Sequence, residues 1–300
     1  MSARPTRMSL RDVGLAFAVV AVWGTNFVVI KWGLRAIPPF LFALLRFFFS
    51  AFPFVLFLPR PRTPWRWLVL YGVFLGAGQF GLLYFALRAD ISPGLASLVI
   101  QAQVFFTIGL SAWIFGERVT AVTMAGSALA VAGLALIASH VDGSSTPIGI
   151  AIVLCAALSW ACANVVAKKA AAQSSASFPM LAFVAWASIF AVPPLLALTL
   201  AIEGVAAWGA LRSAGAAAWA AAAWQVIGNT LFGFAAWSFL LSRYDAAVVS
   251  PWALLIPVFG MGASAFFLGE ALPAWKLGGG ALVLAGIATI VFFGTRRARR

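Results

Sequence analysis

Charged side chains are scarce in this chain. Asp, Glu, Lys and Arg make up 9% of its 300 residues, and only 7 of them are acidic. Soluble domains carry about 25% charge, so a water-solvated globule is excluded. Histidine occurs 1 time and cysteine 2 times, which leaves no ligand cluster for a metal; no metal or other cofactor is expected. Cys155 and Cys162 fall on one expected helix, about 10.5 Å apart along its axis, too far for a disulfide. No Gly-x4-Gly-Lys-[Ser/Thr] loop occurs, which removes the phosphate cradle of an ATP-driven pump. No Asn-x-Ser/Thr acceptor occurs either. Acidic residues sit at the ends of apolar runs or in links (Asp12, Asp90, Asp142, Glu203, Asp245). The middle of each run therefore lacks the carboxylate that a proton-for-cation antiporter needs, and the chain offers no constellation for an enzyme.

What fills the chain is apolar. Hydrophobic residues make up 64%, and the mean hydropathy is +1.03. About 20 apolar residues cross a bilayer core as helix. Ten runs qualify: 13–34, 38–58, 66–87, 93–115, 119–138, 148–168, 178–201, 214–241, 246–268 and 274–294. The links are short, so no soluble domain is expected. The first run is basic at its start, as a signal peptide would be. It ends in Lys31 and Arg35 rather than a small-residue cleavage site, so it is read as a retained span.

Net charge is +13. In a soluble protein that would suggest nucleic acid; here the charges flank the runs, and the partners expected are a lipid bilayer and a small-molecule solute, with no nucleic acid. With ten spans both termini share one side. That side carries 14 Lys and Arg, the other 5 (Lys31, Arg35, Arg88, Arg212, Lys276), and Arg46 lies inside a span. The positive-inside rule then makes both termini cytoplasmic, in a plasma membrane (the inner membrane in bacteria). Oligomeric state is not specified by sequence; a monomer suffices.

Part of the chain repeats. Ser92 to Ile137 aligns without a gap on Asp245 to Ile290, 153 residues later, with 15 of 46 positions identical. Ser97/Ser250, Gly116-Glu117/Gly269-Glu270, Gly126/Gly279 and Gly133/Gly286 are among them. Weaker echoes link Trp23 and Asn26-Phe-Val-Val-Ile-Lys31 to Trp160 and Asn164-Val-Val-Ala-Lys-Lys169, and Pro39 and Pro53 to Pro179 and Pro193. Residues 1–140 and 141–300 are thus two five-span halves. An odd span count inverts the second half, and inverted repeats place the substrate site near the midplane between the halves. The expected fold is an all-α membrane protein of ten transmembrane helices in two inverted repeats, with a cavity lined by spans 1, 3, 4, 6, 8 and 9.

These halves, together with Trp23-Gly24-Thr25-Asn26-Phe27 in span one and the Gly-Glu pairs closing spans four and nine, resemble the drug/metabolite transporter superfamily, EamA type. The resemblance covers essentially the whole chain. Within the superfamily it is nearest to YddG-type aromatic amino acid exporters. It implies a secondary transporter of small metabolites, aromatic or other apolar amino acids among them. Trp160-Ala-Cys-Ala-Asn164 departs from the motif, lacking its glycine and adding one residue, so first-half roles do not transfer to it directly. Broad drug or dye efflux and nucleotide-sugar or sugar-phosphate exchange are the alternatives; the latter calls for paired Lys/Arg in the cavity, where only Arg46 is available.

Polar side chains within spans are costly and mark function. Gln225 and Asn229, spaced i,i+4, and Gln79 on the repeat-equivalent span are the first candidates for the cavity wall; Gln101, Asn26 and Asn164 follow. Neutral amides offer donors and acceptors together, as a polar or zwitterionic solute requires. Interhelical bonding, worth about 0.6 kcal/mol each, is the competing role. Trp160, Tyr84 and Trp237 are candidates for stacking on a planar solute, against ordinary packing. Trp65, Trp67, Trp208 and Trp275 read as interface anchors, and His140 as a solvated loop residue.

Glu117 and Glu270, at span ends on opposite membrane faces, are expected to cap or orient their turns, with proton coupling as the alternative. Arg46 is expected to snorkel or meet backbone carbonyls, with binding of an anionic group as the alternative. Pro93, Pro251 and Pro257 are the expected bend or hinge sites. Ala128/Ala132 and Ala281/Ala285, flanked by paired glycines, mark spans five and ten as scaffold packing. With no carboxylate or histidine deep in a span, and with Arg46 unable to deprotonate, transport is expected to follow the solute gradient without an obligatory proton.

Overall fold

The computed structural model describes residues 8–116, 119–140, 145–173, 179–244 and 246–294. Among them the chain is helical, with no strand. Among the described residues ten long helices run in order, with a short helical segment at 205–213 between the seventh and eighth: α1 (Leu10–Gly33), α2 (Pro39–Leu56), α3 (Trp65–Ala89), α4 (Pro93–Phe115), α5 (Ala121–Ala138), α6 (Pro147–Ala172), α7 (Met180–Glu203), α8 (216–243), α9 (246–268) and α10 (Ala274–Phe293). Eight are long and apolar enough to cross a bilayer; α9 contains a shorter apolar stretch, Trp252–Leu268. The remaining one, α8, carries Gln225 and Asn229 along its length.

Helix starts follow local chemistry. Ser9 Oγ accepts from the Asp12 amide at 3.2 Å, Thr120 Oγ1 from Thr123 at 3.2 Å and Thr146 Oγ1 from Gly149 at 2.9 Å, each satisfying an otherwise orphaned N–H. The glycine of each Gly-Glu pair ends its helix. Gly116 and Gly269 both sit at φ 67°, a left-handed C-cap that costs a residue with Cβ about 1–2 kcal/mol.

Other ends are capped by a different helix. Glu203, closing α7, accepts from the Phe40 and Leu41 amides of α2 at 2.7 and 3.0 Å. Lys31 of α1 donates to the Leu87 and Arg88 carbonyls ending α3. Arg88 donates in return to the Leu34 and Ile37 carbonyls after α1. Glu270, after α9, accepts from the Gly94 amide at 2.9 Å and Ser92 Oγ at 2.5 Å at the start of α4. It also pairs with Lys276 at 3.0 Å, the two side chains being 6% and 1% exposed. Gly269 alone turns the chain there, so the Glu270 carboxylate is free to cap a neighbour rather than its own turn. Glu117 lies outside the described residues.

Helix contacts are related by exchange of the halves. α1 packs on α9 as α6 packs on α4; α3 packs on α6 as α8 packs on α1; α2·α7, α4·α9 and α5·α10 pair each helix with its own repeat mate. This is the pattern of a pseudo-two-fold axis. α5 and α10 meet through their glycines, where a Cβ on Gly126 or Gly133 would lie 2.6 Å from the Gly286 or Gly279 carbonyl oxygen. The small-residue pairs are therefore scaffold, as backbone proximity requires.

Helical pitch changes in the middle of four helices. α3 and α8 wind as π-helix over Val73–Gly81 and Gln225–Phe232, which are repeat-equivalent. α4 and α9 tighten to 3-10 turns at Ile100–Ala102 and Ser250–Leu254. Pro93 does not bend α4: it is its first residue, where the missing amide would have been unpaired anyway. Pro251 belongs to the tight turn of α9, and Pro257 sits in the first turn of the segment that follows it.

Candidate functional site

One cavity lies between the halves, lined by residues of α1, α3, α4, α6, α8 and α9. These are the six helices expected from the repeat. Its volume is about 90 Å³, room for several waters at roughly 10–15 Å³ each on this measure. Polar lining comes from four amides, Asn26, Gln79, Gln101 and Asn229; the repeat-matched indoles of Trp23 and Trp160 face it, with aliphatic and phenyl groups elsewhere. No lining residue is charged.

The π-helical stretches position this chemistry. An extra residue per turn widens the helix and re-aims its side chains, and such stretches recur at functional sites. Gln79 lies on the one in α3, Gln225 and Asn229 on the one in α8. Gln79 Oε1 is buried without a hydrogen-bond partner. Gln101 donates its Nε2 to the Ala253 carbonyl of α9 at 3.4 Å, leaving its oxygen uncommitted.

Behind the wall sits a buried cation. Arg46 of α2 is 2% exposed. Its Nη1 donates to Tyr84 Oη at 3.1 Å and Gln225 Oε1 at 2.9 Å, and its Nη2 to Asn229 Oδ1 at 2.7 Å. Phe80, a cavity residue, lies under the guanidinium with its centroid 3.7 Å away. Arg46 thus neither snorkels nor meets backbone carbonyls. The aliphatic stem is too deep to reach the surface, and three neutral acceptors from α3 and α8 converge on the fork. Among the described residues no carboxylate pairs with it, and its Nε has no partner. A buried charge without a counter-ion costs several kcal/mol, and Tyr84, Gln225, Asn229 and Phe80 are the side chains that offset it here.

Gln225 is the centre of this network. Its Oε1 also accepts from Tyr84 at 2.9 Å and Asn26 at 3.2 Å, and its Nε2 donates to Asn26 Oδ1 at 2.8 Å. With 0% exposure, Gln225 is committed to structure, as is Tyr84, also at 0%; neither lines the cavity. Asn164 lies elsewhere, donating to Gln103 Oε1 at 2.9 Å and Thr107 at 3.3 Å across to α4. Trp237 packs 5.3 Å from Trp23, outside the wall. Trp23 itself donates to the Asn229 carbonyl at 3.1 Å. Of nine candidates, five (Asn26, Gln79, Gln101, Trp160, Asn229) meet at the cavity, and Arg46 was missed as their support. Its signal was present, a lone charge in a span, but its partners come from helices that sequence does not bring together.

Comparison with known proteins agrees with this architecture. A solved crystal structure superposes with a TM-score of 0.61 at 19% identity, over 98% of this chain and 100% of that one, a likeness of fold. The chain is 40% identical over 297 residues to a probable amino-acid metabolite efflux pump of Salmonella typhimurium, covering 98% of this chain and 99% of that protein. It is 38% identical to a protein of the same description in Escherichia coli K12, covering 95% and 96%. A probable terminal-alkyne amino-acid exporter of Streptantibioticus cattleyicolor is 28% identical over 68% of the chain and 65% of that protein. The model of the EamA-like transporter family matches twice, over residues 11–139 and 147–292, one match on each half. This chain, a multi-pass membrane transporter with two such repeats, belongs to the EamA-like transporter family.

Proposed function

We propose that the protein exports small metabolites, aromatic or other apolar amino acids foremost, by alternating access around the midplane cavity, in a bacterial inner membrane with both termini cytoplasmic. The observation that carries this reading is the wall itself: four neutral amides and two indoles, with no charge, at the interface of two related halves. Amides match the ends of a zwitterion without the desolvation cost of a charged partner, and indoles suit an apolar or planar side chain. The two relatives described as amino-acid metabolite efflux pumps match along nearly their whole length, which supports the same substrate class. A phosphorylated cargo fits poorly, because the wall offers no paired Lys or Arg.

The test is counterflow in proteoliposomes loaded with a panel of amino acids, a planar dye and a nucleotide sugar. Exchange of labelled phenylalanine or leucine, unaffected by an uncoupler, is the expected result. Exchange of the dye or nucleotide sugar with no amino-acid flux would overturn the substrate class. Stoichiometric proton movement would overturn the uncoupled mechanism.

A further inference from the structure

Arg46 does more than support the cavity: we infer that it makes the protein selective for solutes bearing a carboxylate, acting as a positioning residue through Asn229. The inference rests on the amino-acid reading above and adds which part of the solute is recognised and by what.

A guanidinium only donates hydrogen bonds. Asn229 must therefore turn its Oδ1 toward Arg46, and the 2.7 Å bond shows that it does. The amide's other end, Nδ2, is then left as a donor, has no partner among the described residues, and belongs to a side chain on the cavity wall. A wall asparagine could otherwise offer either face; this one is held donor-outward. The opposite polarity is fixed at Gln101. A carbonyl only accepts, so the Ala253 oxygen takes the Gln101 Nε2 and leaves its Oε1 as an acceptor.

The charge itself acts in the same direction. Arg46 has no counter-ion among the described residues, and Phe80 and Asn229, which touch its fork, both line the cavity. The pseudo-two-fold axis relates Arg46 to Trp186, which is neutral and donates to the Leu58 carbonyl. One side of the cavity is thus positive and its mate is not. A solute carboxylate settles against Asn229 on the positive side, and an ammonium finds the Gln101 oxygen. A cation lacking the carboxylate meets the same field as repulsion, so cationic amphiphiles are rejected without any cavity carboxylate being required.

The experiment compares phenylalanine with phenylalaninamide, which keeps the ring and ammonium and loses the carboxylate, as competitors of labelled phenylalanine exchange in proteoliposomes. The wild-type protein should favour phenylalanine about thirtyfold, the ratio for unit charges about 8 Å apart at an effective dielectric of about 20. Arg46→Met should bring the ratio close to one, while Arg46→Lys, which keeps the charge but not the fork, should restore most of it. A purely structural role for Arg46 would lower exchange of both compounds together and leave the ratio unchanged, and that outcome overturns the inference. The wild-type arm requires no variant to fold: equal competition by the two compounds overturns it outright. Failure of phenylalanine and every other amino acid to exchange at all overturns the substrate reading on which it rests.

Discussion

Replacing Glu270 with alanine removes a carboxylate that serves three donors at once. Its Oε1 takes Ser92 Oγ at 2.5 Å and Lys276 Nζ at 3.0 Å, and its Oε2 takes the Gly94 amide at 2.9 Å. Lys276, 1% exposed in its side chain, would retain as hydrogen-bond acceptor the Ala271 carbonyl, 3.2 Å away, beside the Trp275 ring. Removing one partner of a buried pair costs about 3–5 kcal/mol because the other charge stays buried. The double variant Glu270→Ala/Lys276→Met leaves no orphan charge. It forfeits the caps on α4, at about 1–3 kcal/mol for a buried unsatisfied donor, and should be less damaged than Glu270→Ala alone. The coupling energy in a double-mutant cycle should therefore exceed about 1 kcal/mol. Reversible unfolding of the purified wild type, Glu270→Ala, Lys276→Met and the double variant in mixed micelles, followed by circular dichroism, measures the cycle. A loss below about 1 kcal/mol for Glu270→Ala, or additivity in the cycle, would show that water reaches the pair and that the cross-helix cap contributes little.

Two further pairs of substitutions probe other layers. Gly133→Leu should abolish monodisperse folded protein, because its Cβ would lie 2.6 Å from the Gly279 carbonyl, while Gly278→Ala, whose Cβ would meet nothing nearer than 3.9 Å, should be tolerated; size-exclusion profiles decide, and equal tolerance of both refutes close packing of α5 on α10. Gln225→Ala strips an acceptor shared by Arg46, Tyr84 and Asn26 and should cost about 1.5–3 kcal/mol as a hydrogen bond to a charge. Gln79→Ala, whose carbonyl oxygen has no partner, should leave stability unchanged and reduce exchange; similar stability losses in the two would contradict the division between network and wall.

The contrast between those two glutamines also marks how far sequence could be read. Helix number, order and pairing of halves were legible because a bilayer demands long apolar runs and because Gly116-Glu117 and Gly269-Glu270 register the repeat. The cavity helices followed from that symmetry. The π-helical winding at Gln79 and Gln225 was not legible, since an i,i+4 spacing assumes ordinary pitch and the choice of pitch is made by neighbouring helices. Gln225 and Tyr84 looked like wall residues because their polarity is evident in sequence, whereas their partner Arg46 lies 179 and 38 residues away. The same holds for Glu270. Its position at a span end suggested its own turn, but the amide it caps is 176 residues distant.

The glycine contact of α5 with α10 has a consequence for the halves taken singly. Gly126 meets Gly286, whose repeat mate is Gly133, and Gly133 meets Gly279, whose mate is Gly126. Each helix thus offers its partner the surface that it receives, the isologous relation by which identical subunits close a two-fold dimer. The last helix of each half carries a glycine face that fits its own repeat mate. The covalent link between the halves sets their stoichiometry at one to one, and lets each half diverge, Arg46 against Trp186, without losing its mate.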